Sequence, residues 1–122
     1  MKSLFMLMCL AEAATGVALM VIPSVVARLL LGTELTGVAV PLGRVAGAAL
    51  LSLGLACWPD AKLTRSALCG MLTYNSLVAL YLLCLGIRGE WVGPLLWPAM
   101  GLHAIFTALL TRSWIRAGRT ES

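Results

Sequence analysis

The sequence LFMLMCLAEAATGVALMVI, residues 4–22, decides the fold of this chain. A membrane-spanning helix needs roughly 20 mainly apolar residues, and this stretch has that length before Pro23 interrupts it. Lys2, the first apolar run and Ala11-Glu12-Ala13 resemble a signal peptide with its cleavage site. Because the apolar run resumes through residues 17–22, we expect a retained first span.

Three more stretches have the length and composition of membrane spans, at residues 38–58, 66–87 and 91–112. The segment PSVVARLLLG, residues 23–32, is too short to span. Its initial proline and final glycine are typical of a helix start and stop, so it predicts a short interfacial helix. The sequence therefore predicts an all-α integral membrane bundle of four transmembrane helices, forming a single domain over residues 1–122.

The composition points the same way. Of the 122 residues, 61% are hydrophobic and 11% are charged, and the mean hydropathy is +0.97. A soluble domain has about 45–50% apolar and about 25% charged residues. These values exclude a soluble enzyme, a nucleic-acid-binding domain and a disordered tail, and the expected partner is the lipid bilayer, not nucleic acid. The net charge of +4 then reflects basic residues flanking the spans.

The distribution of these basic residues predicts the orientation. With four spans, one side of the membrane holds six Lys and Arg residues and the other side holds two. The six are Lys2, Lys62, Arg65, Arg112, Arg116 and Arg119, and the two are Arg28 and Arg88. Because basic residues accumulate on the cytoplasmic side, we expect a multi-pass inner-membrane protein with both termini in the cytoplasm.

Each predicted span carries one strongly polar residue: Glu12, Arg44, Asn75 and His103. Such residues cost about 2.5–3.5 kcal/mol each at the centre of a membrane helix and are functional candidates. A rise of about 1.5 Å per residue places Glu12, Asn75 and His103 about 12–14 Å from the cytoplasmic ends of their spans. We therefore predict a central ligand-binding or proton-relay cluster of these four residues, with Glu12 facing Arg44.

Three residues are predicted to support this cluster. Tyr74 precedes Asn75, Ser52 lies on the same helical face as Arg44, and Thr107 lies one turn after His103. A purely structural explanation stays open, because polar side chains also join membrane helices at about 0.6 kcal/mol per hydrogen bond.

No metal ligand set or cofactor is predicted. The four cysteines are far apart, and no second His or Cys lies three or four residues from His103. Buried free cysteine behaves as a small hydrophobic residue, which is the interpretation we favour for Cys9, Cys57, Cys69 and Cys84.

The second span contains GRVAGAALLSLG, residues 43–54, with a Gly43-x-x-x-Gly47 packing motif. With the proline-initiated segment before it, this pattern is similar to DoxX-like bacterial four-helix membrane proteins. That resemblance implies a bacterial inner-membrane bundle, and some of those proteins are associated with membrane oxidoreductase complexes. Glu12 in a four-span chain also resembles the small multidrug resistance transporters, which bind cationic drugs. This second resemblance ranks lower, because Arg44 would oppose a cation.

The function that these observations favour is a central polar site that binds or translocates a small solute or protons. The alternative is an accessory or scaffolding subunit of a larger membrane complex, such as an oxidoreductase. A homo-oligomer is the other possible assembly, and a stable isolated one would count against the accessory subunit. An intramembrane enzyme using Glu12 and His103 as acid and base on a lipid or quinone is less favoured. The sequence shows no nucleophile–base pair for such an enzyme.

Overall fold

The apolar segments of the chain form helices in the computed structural model, which describes residues 2–60 and 63–120. The helices are α1 (Lys2–Val21), α2 (Pro23–Leu31), α3 (Ala39–Ala56), α4 (Arg65–Arg88) and α5 (Leu96–Thr120). The residues so described contain no strand, which confirms the all-α class. Three of these helices, α1, α3 and α4, are long and apolar enough to cross a membrane. They support a membrane protein.

Helix α5 differs from the predicted fourth span. It begins at Leu96 and not at residue 91, and it continues to Thr120. Residues 91–95 form bends and a turn before it, and Pro98 lies in its first turn, where proline is tolerated. With its 25 residues, α5 has the length of a span. It is not among the three apolar helices, because it carries His103, Thr107 and several arginines.

Helices α1 and α3 pack against each other with their backbones in close contact. A Cβ atom on Gly16 would lie 2.6 Å from the carbonyl oxygen of Gly47, and one on Gly54 would lie 2.6 Å from the carbonyl oxygen of Cys9. These contacts fix an antiparallel register, in which the start of α1 lies beside the end of α3. Small residues let membrane helices approach in this way, and Gly47 of the predicted motif takes part.

The short helix α2 lies across the end of the bundle where α1 ends and α3 begins. It ends at Gly32, which adopts a left-handed conformation with φ of 75°. The backbone nitrogen of Gly93 donates to the carbonyl oxygen of Leu30 at 3.0 Å, and that of Leu95 donates to Leu29 at 2.8 Å. These bonds satisfy carbonyl groups that a helix end leaves unpaired and attach α2 to the segment before α5.

The hydrophobic core lies at the end of the bundle where α1 and α4 begin and α5 ends. We call this the amino-terminal end of the bundle. Lys2 hydrogen-bonds the backbone oxygen of Asp60 there, and the Arg65 guanidinium lies 4.7 Å from the ring centre of Trp114. Lys62, one of the basic residues used to predict the orientation, is outside the described residues. Eight buried residues form this amino-terminal core: Phe5, Met8, Cys9, Cys57, Leu68, Met71, Phe106 and Leu110.

Candidate functional site

Helix α4 brings Asn75 into the bundle on the same buried face as Leu68, Met71 and Leu82. Asn75 is fully buried, and its amide nitrogen donates to the Met71 carbonyl oxygen at 2.8 Å. Its side-chain oxygen lies 2.7 Å from Nδ1 of His103 on α5. A carbonyl oxygen only accepts hydrogen bonds, so the Met71 contact fixes which end of the amide is nitrogen. Nδ1 of His103 is therefore the donor to Asn75.

Tyr74, the residue before Asn75, faces α1. Its hydroxyl group interacts with the carboxyl group of Glu12, which is buried, with the residue only 3% exposed. The Tyr74 ring also meets the His103 ring at an angle of 78°, with 5.8 Å between the ring centres. Glu12, Tyr74, His103 and Asn75 are thus connected across α1, α4 and α5. We call these four residues the polar cluster.

Arg44 does not join the polar cluster, and the predicted pairing of Glu12 with Arg44 is wrong. A Cβ atom on Gly43, the preceding residue, would lie 3.3 Å from Pro23, which places this part of α3 beside the end of α1. Glu12 instead lies near the level of Gly54, which contacts Ala13. Ten residues of helix separate Arg44 from that level, about 15 Å. Arg44 is exposed, and Tyr74 takes its expected place beside Glu12.

The other two predicted supporting residues lie outside the cluster's hydrogen bonds. The Ser52 hydroxyl is exposed and donates to Ala48 of its own helix at 2.8 Å. The Thr107 hydroxyl donates to the backbone oxygen of His103, also at 2.8 Å. The Ser52 hydrogen bond thus stays within α3, away from the cluster, whereas Thr107 contacts the backbone that carries His103.

A cavity of about 440 Å³ lies beyond the polar cluster, on the side away from the amino-terminal core. All five helices line it, and its far end is covered by α2 through Val26, Ala27, Leu29, Leu30 and Leu31. Tyr74 and His103 line the end nearest the cluster. Apart from these two and Thr15, its walls are alanine, valine and leucine side chains. The polar cluster therefore lies between a closed core and an apolar chamber.

The sequence did not predict this cavity, because its walls come from five separate segments whose aliphatic residues resemble ordinary lipid-facing ones. Tyr74 was placed among the supporting residues, yet it connects Glu12 to His103. The position of Tyr74 in the sequence could have predicted this role. Neighbouring residues of a helix point about 100° apart, so Asn75 and Tyr74 face different partners.

The cysteines do not form a metal site in the part of the chain described here. Within residues 2–60 and 63–120, no three His, Cys, Asp or Glu side chains gather in a way that would hold a metal ion. The Cys9 thiol contacts the Cys57 carbonyl oxygen at 3.3 Å. Burial raises the pKa of the Cys57 thiol, because a buried site disfavours the charged thiolate, the form that binds metals.

Comparison of the chain with protein-family models, with curated proteins and with solved structures finds no match. The function is therefore inferred from the geometry of the polar cluster and of the cavity beside it.

Proposed function

We propose that this chain is a small inner-membrane protein of four spans whose central polar site binds a small solute. One observation carries the proposal: Tyr74 and His103 form the polar end of a cavity of about 440 Å³. Ligand pockets of proteins typically measure about 300–1,000 Å³ and combine apolar walls with a few placed polar groups. A packing cluster with no ligand role would not need an adjoining chamber.

Binding fits the structure better than translocation of a solute or of protons. On one side of the polar cluster lies the amino-terminal core, where Phe5, Met8, Met71 and Leu110 are at most 1% exposed. Buried polar residues beyond the cluster are limited, among the described residues, to Ser113. A transport pathway needs polar or water-filled passage to both sides. The cluster has an open chamber on one side only.

The four-span topology is part of this proposal. α5 lines the same cavity as the three apolar helices, and its 25 residues give about 37 Å of helix, enough to cross a bilayer core of about 30 Å. The amino-terminal end of the bundle carries Lys2, Arg65 and the arginines of α5. By the positive-inside rule this end is cytoplasmic.

Native mass spectrometry of the chain extracted in mild detergent tests the proposal. We expect the wild type to retain a non-protein mass that both Tyr74→Phe and His103→Ala reduce. Tyr81→Phe is the matched control, because Tyr81 lies on the same helix but is 66% exposed. A bound mass unaffected by either cluster variant would refute the site. Reproducible retention of a second protein instead would favour the accessory-subunit alternative, and the same spectra give the number of copies in a homo-oligomer.

A further inference from the structure

We infer that the ligand is a neutral, lipid-soluble alcohol or phenol that enters from the bilayer between α3 and α4, and that its hydroxyl group donates a hydrogen bond to Nε2 of His103. This inference rests on the proposed binding function and names its ligand class. It follows from three observations: the composition of the cavity walls, the proton position on His103, and the gap between two helices.

The cavity walls favour an uncharged, mainly apolar ligand. Their polar members are Thr15, Tyr74 and His103. The Thr15 hydroxyl already donates a hydrogen bond to the Ala11 carbonyl oxygen of its own helix at 2.8 Å, and the Tyr74 hydroxyl interacts with the Glu12 carboxyl group. A charged solute would lose its hydration without gaining a partner of opposite charge among the lining residues, which is strongly unfavourable. Arg44 is exposed and is not one of the residues that line the cavity.

The hydrogen bonds of His103 select the head group. A neutral imidazole has one donor and one acceptor nitrogen. Because Asn75 accepts from Nδ1, Nε2 is the acceptor, and it has no hydrogen-bond partner within the described part of the chain. Its complement is a donor, so a hydroxyl group fits and a carbonyl or ether oxygen does not. Asn75 is thus a positioning residue that sets the specificity of His103.

The route from the bilayer lies between α3 and α4. A groove on the outside of the bundle is lined there by small or polar residues that include Ala46, Ala49, Gly70 and Thr73. Leu50 and Tyr74 line both this groove and the cavity, so the two spaces are adjacent. The far end of the cavity is covered by α2, which is held by the backbone bonds to Gly93 and Leu95. Access from the lipid is therefore the shorter path.

A pair of matched probes tests the ligand class on the full chain in lipid nanodiscs. Para-octylphenol and its methyl ether have the same apolar body, but only the phenol donates a hydrogen bond. We expect the phenol to bind about tenfold more tightly, the effect of one added hydrogen bond. His103→Ala should remove this preference. Equal affinity of the two probes for the wild type would overturn the hydroxyl assignment.

Cavity-filling variants separate this inference from the proposed function. Ala99→Trp places a large side chain in the cavity wall and should abolish binding of both probes. Ala104→Trp, at an exposed position of α5 outside the cavity lining, is the control. If neither probe binds the wild type while native spectra show a mass that depends on Tyr74 and His103, the ligand class is wrong and the binding site stands. If that mass is also absent, the proposed function fails.

A tryptophan in the groove tests the route. Exchange of a trifluoromethyl-terminated octylphenol between lipid and protein is measured by fluorine NMR exchange spectroscopy. Ala49→Trp should slow this exchange about tenfold and leave the bound fraction at equilibrium nearly unchanged, as expected for a blocked passage. Ala48→Trp is the control, because Ala48 precedes Ala49 on α3 and lies outside the groove lining. In this variant the probe should exchange as fast as in the wild type. An unaltered rate in Ala49→Trp would overturn the lateral route.

Discussion

The ring of Tyr74 meets the ring of His103 edge to face, with centres 5.8 Å apart. This contact joins two interacting pairs into one cluster, because Tyr74 also interacts with Glu12 and His103 is hydrogen-bonded to Asn75. Three helices thereby meet at one point inside the bundle. The contact also places both rings at the polar end of the cavity, so the same residues hold the bundle together and face the ligand.

Tyr74→Phe should destabilise the chain because it removes the hydroxyl that interacts with the buried Glu12 carboxyl group. A buried polar group left without its partner costs about 1–3 kcal/mol. The free energy of unfolding, measured by denaturant titration in micelles, should fall by that amount. Tyr81→Phe, at an exposed position of the same helix, should change it by less than about 0.5 kcal/mol. Equal effects of the two variants would contradict the interaction of Tyr74 with Glu12.

Arg44→Gln should leave stability almost unchanged. Arg44 is exposed and lies two turns or more from the level of Glu12, so its replacement should alter the free energy of unfolding by less than about 0.5 kcal/mol. A double-mutant cycle with Glu12→Gln checks this directly, since unconnected residues give additive effects within about 0.3–0.5 kcal/mol. A coupling energy well above that range would show that Glu12 and Arg44 do form an ion pair.

The helices were predictable because a membrane chain must satisfy its backbone hydrogen bonds internally, so hydropathy alone marks α1, α3 and α4. Depth along each span also placed Glu12, Asn75 and His103 in one layer, and the structure brings these three together around Tyr74. The partner of Glu12 was not predictable in this way. It depends on the relative register of α1 and α3, which is fixed by backbone contacts at Gly16, Gly47 and Gly54. The depth of a residue along its own span does not predict that register.

Gly16→Leu should separate α1 from α3. A Cβ atom at Gly16 would lie 2.6 Å from two backbone atoms of α3, and backbone cannot move aside as a flexible side chain can. Overpacking of this kind costs about 1–3 kcal/mol and occasionally more. Gly101→Leu is the control, because a Cβ atom there meets nothing within 4 Å and leucine favours the helix. The free energies of unfolding of the two variants in the same detergent give the comparison, and a destabilised control or a neutral Gly16→Leu would contradict the tight α1–α3 contact.

Asn75→Leu should change the proton position on His103 as well as the stability. The chain has one histidine, so nitrogen-15 labelling of histidine reports this imidazole alone. In the wild type we expect the neutral ring to carry its proton on Nδ1, because Asn75 accepts from that nitrogen. Loss of the acceptor should shift the signals toward the tautomer protonated on Nε2. Ser76→Ala is the control: Ser76 bonds only to Leu72 of its own helix, and its loss should leave the tautomer as in the wild type. A wild-type ring protonated on Nε2 would contradict the arrangement of Asn75 and His103 and, with it, the preference for a hydroxyl ligand.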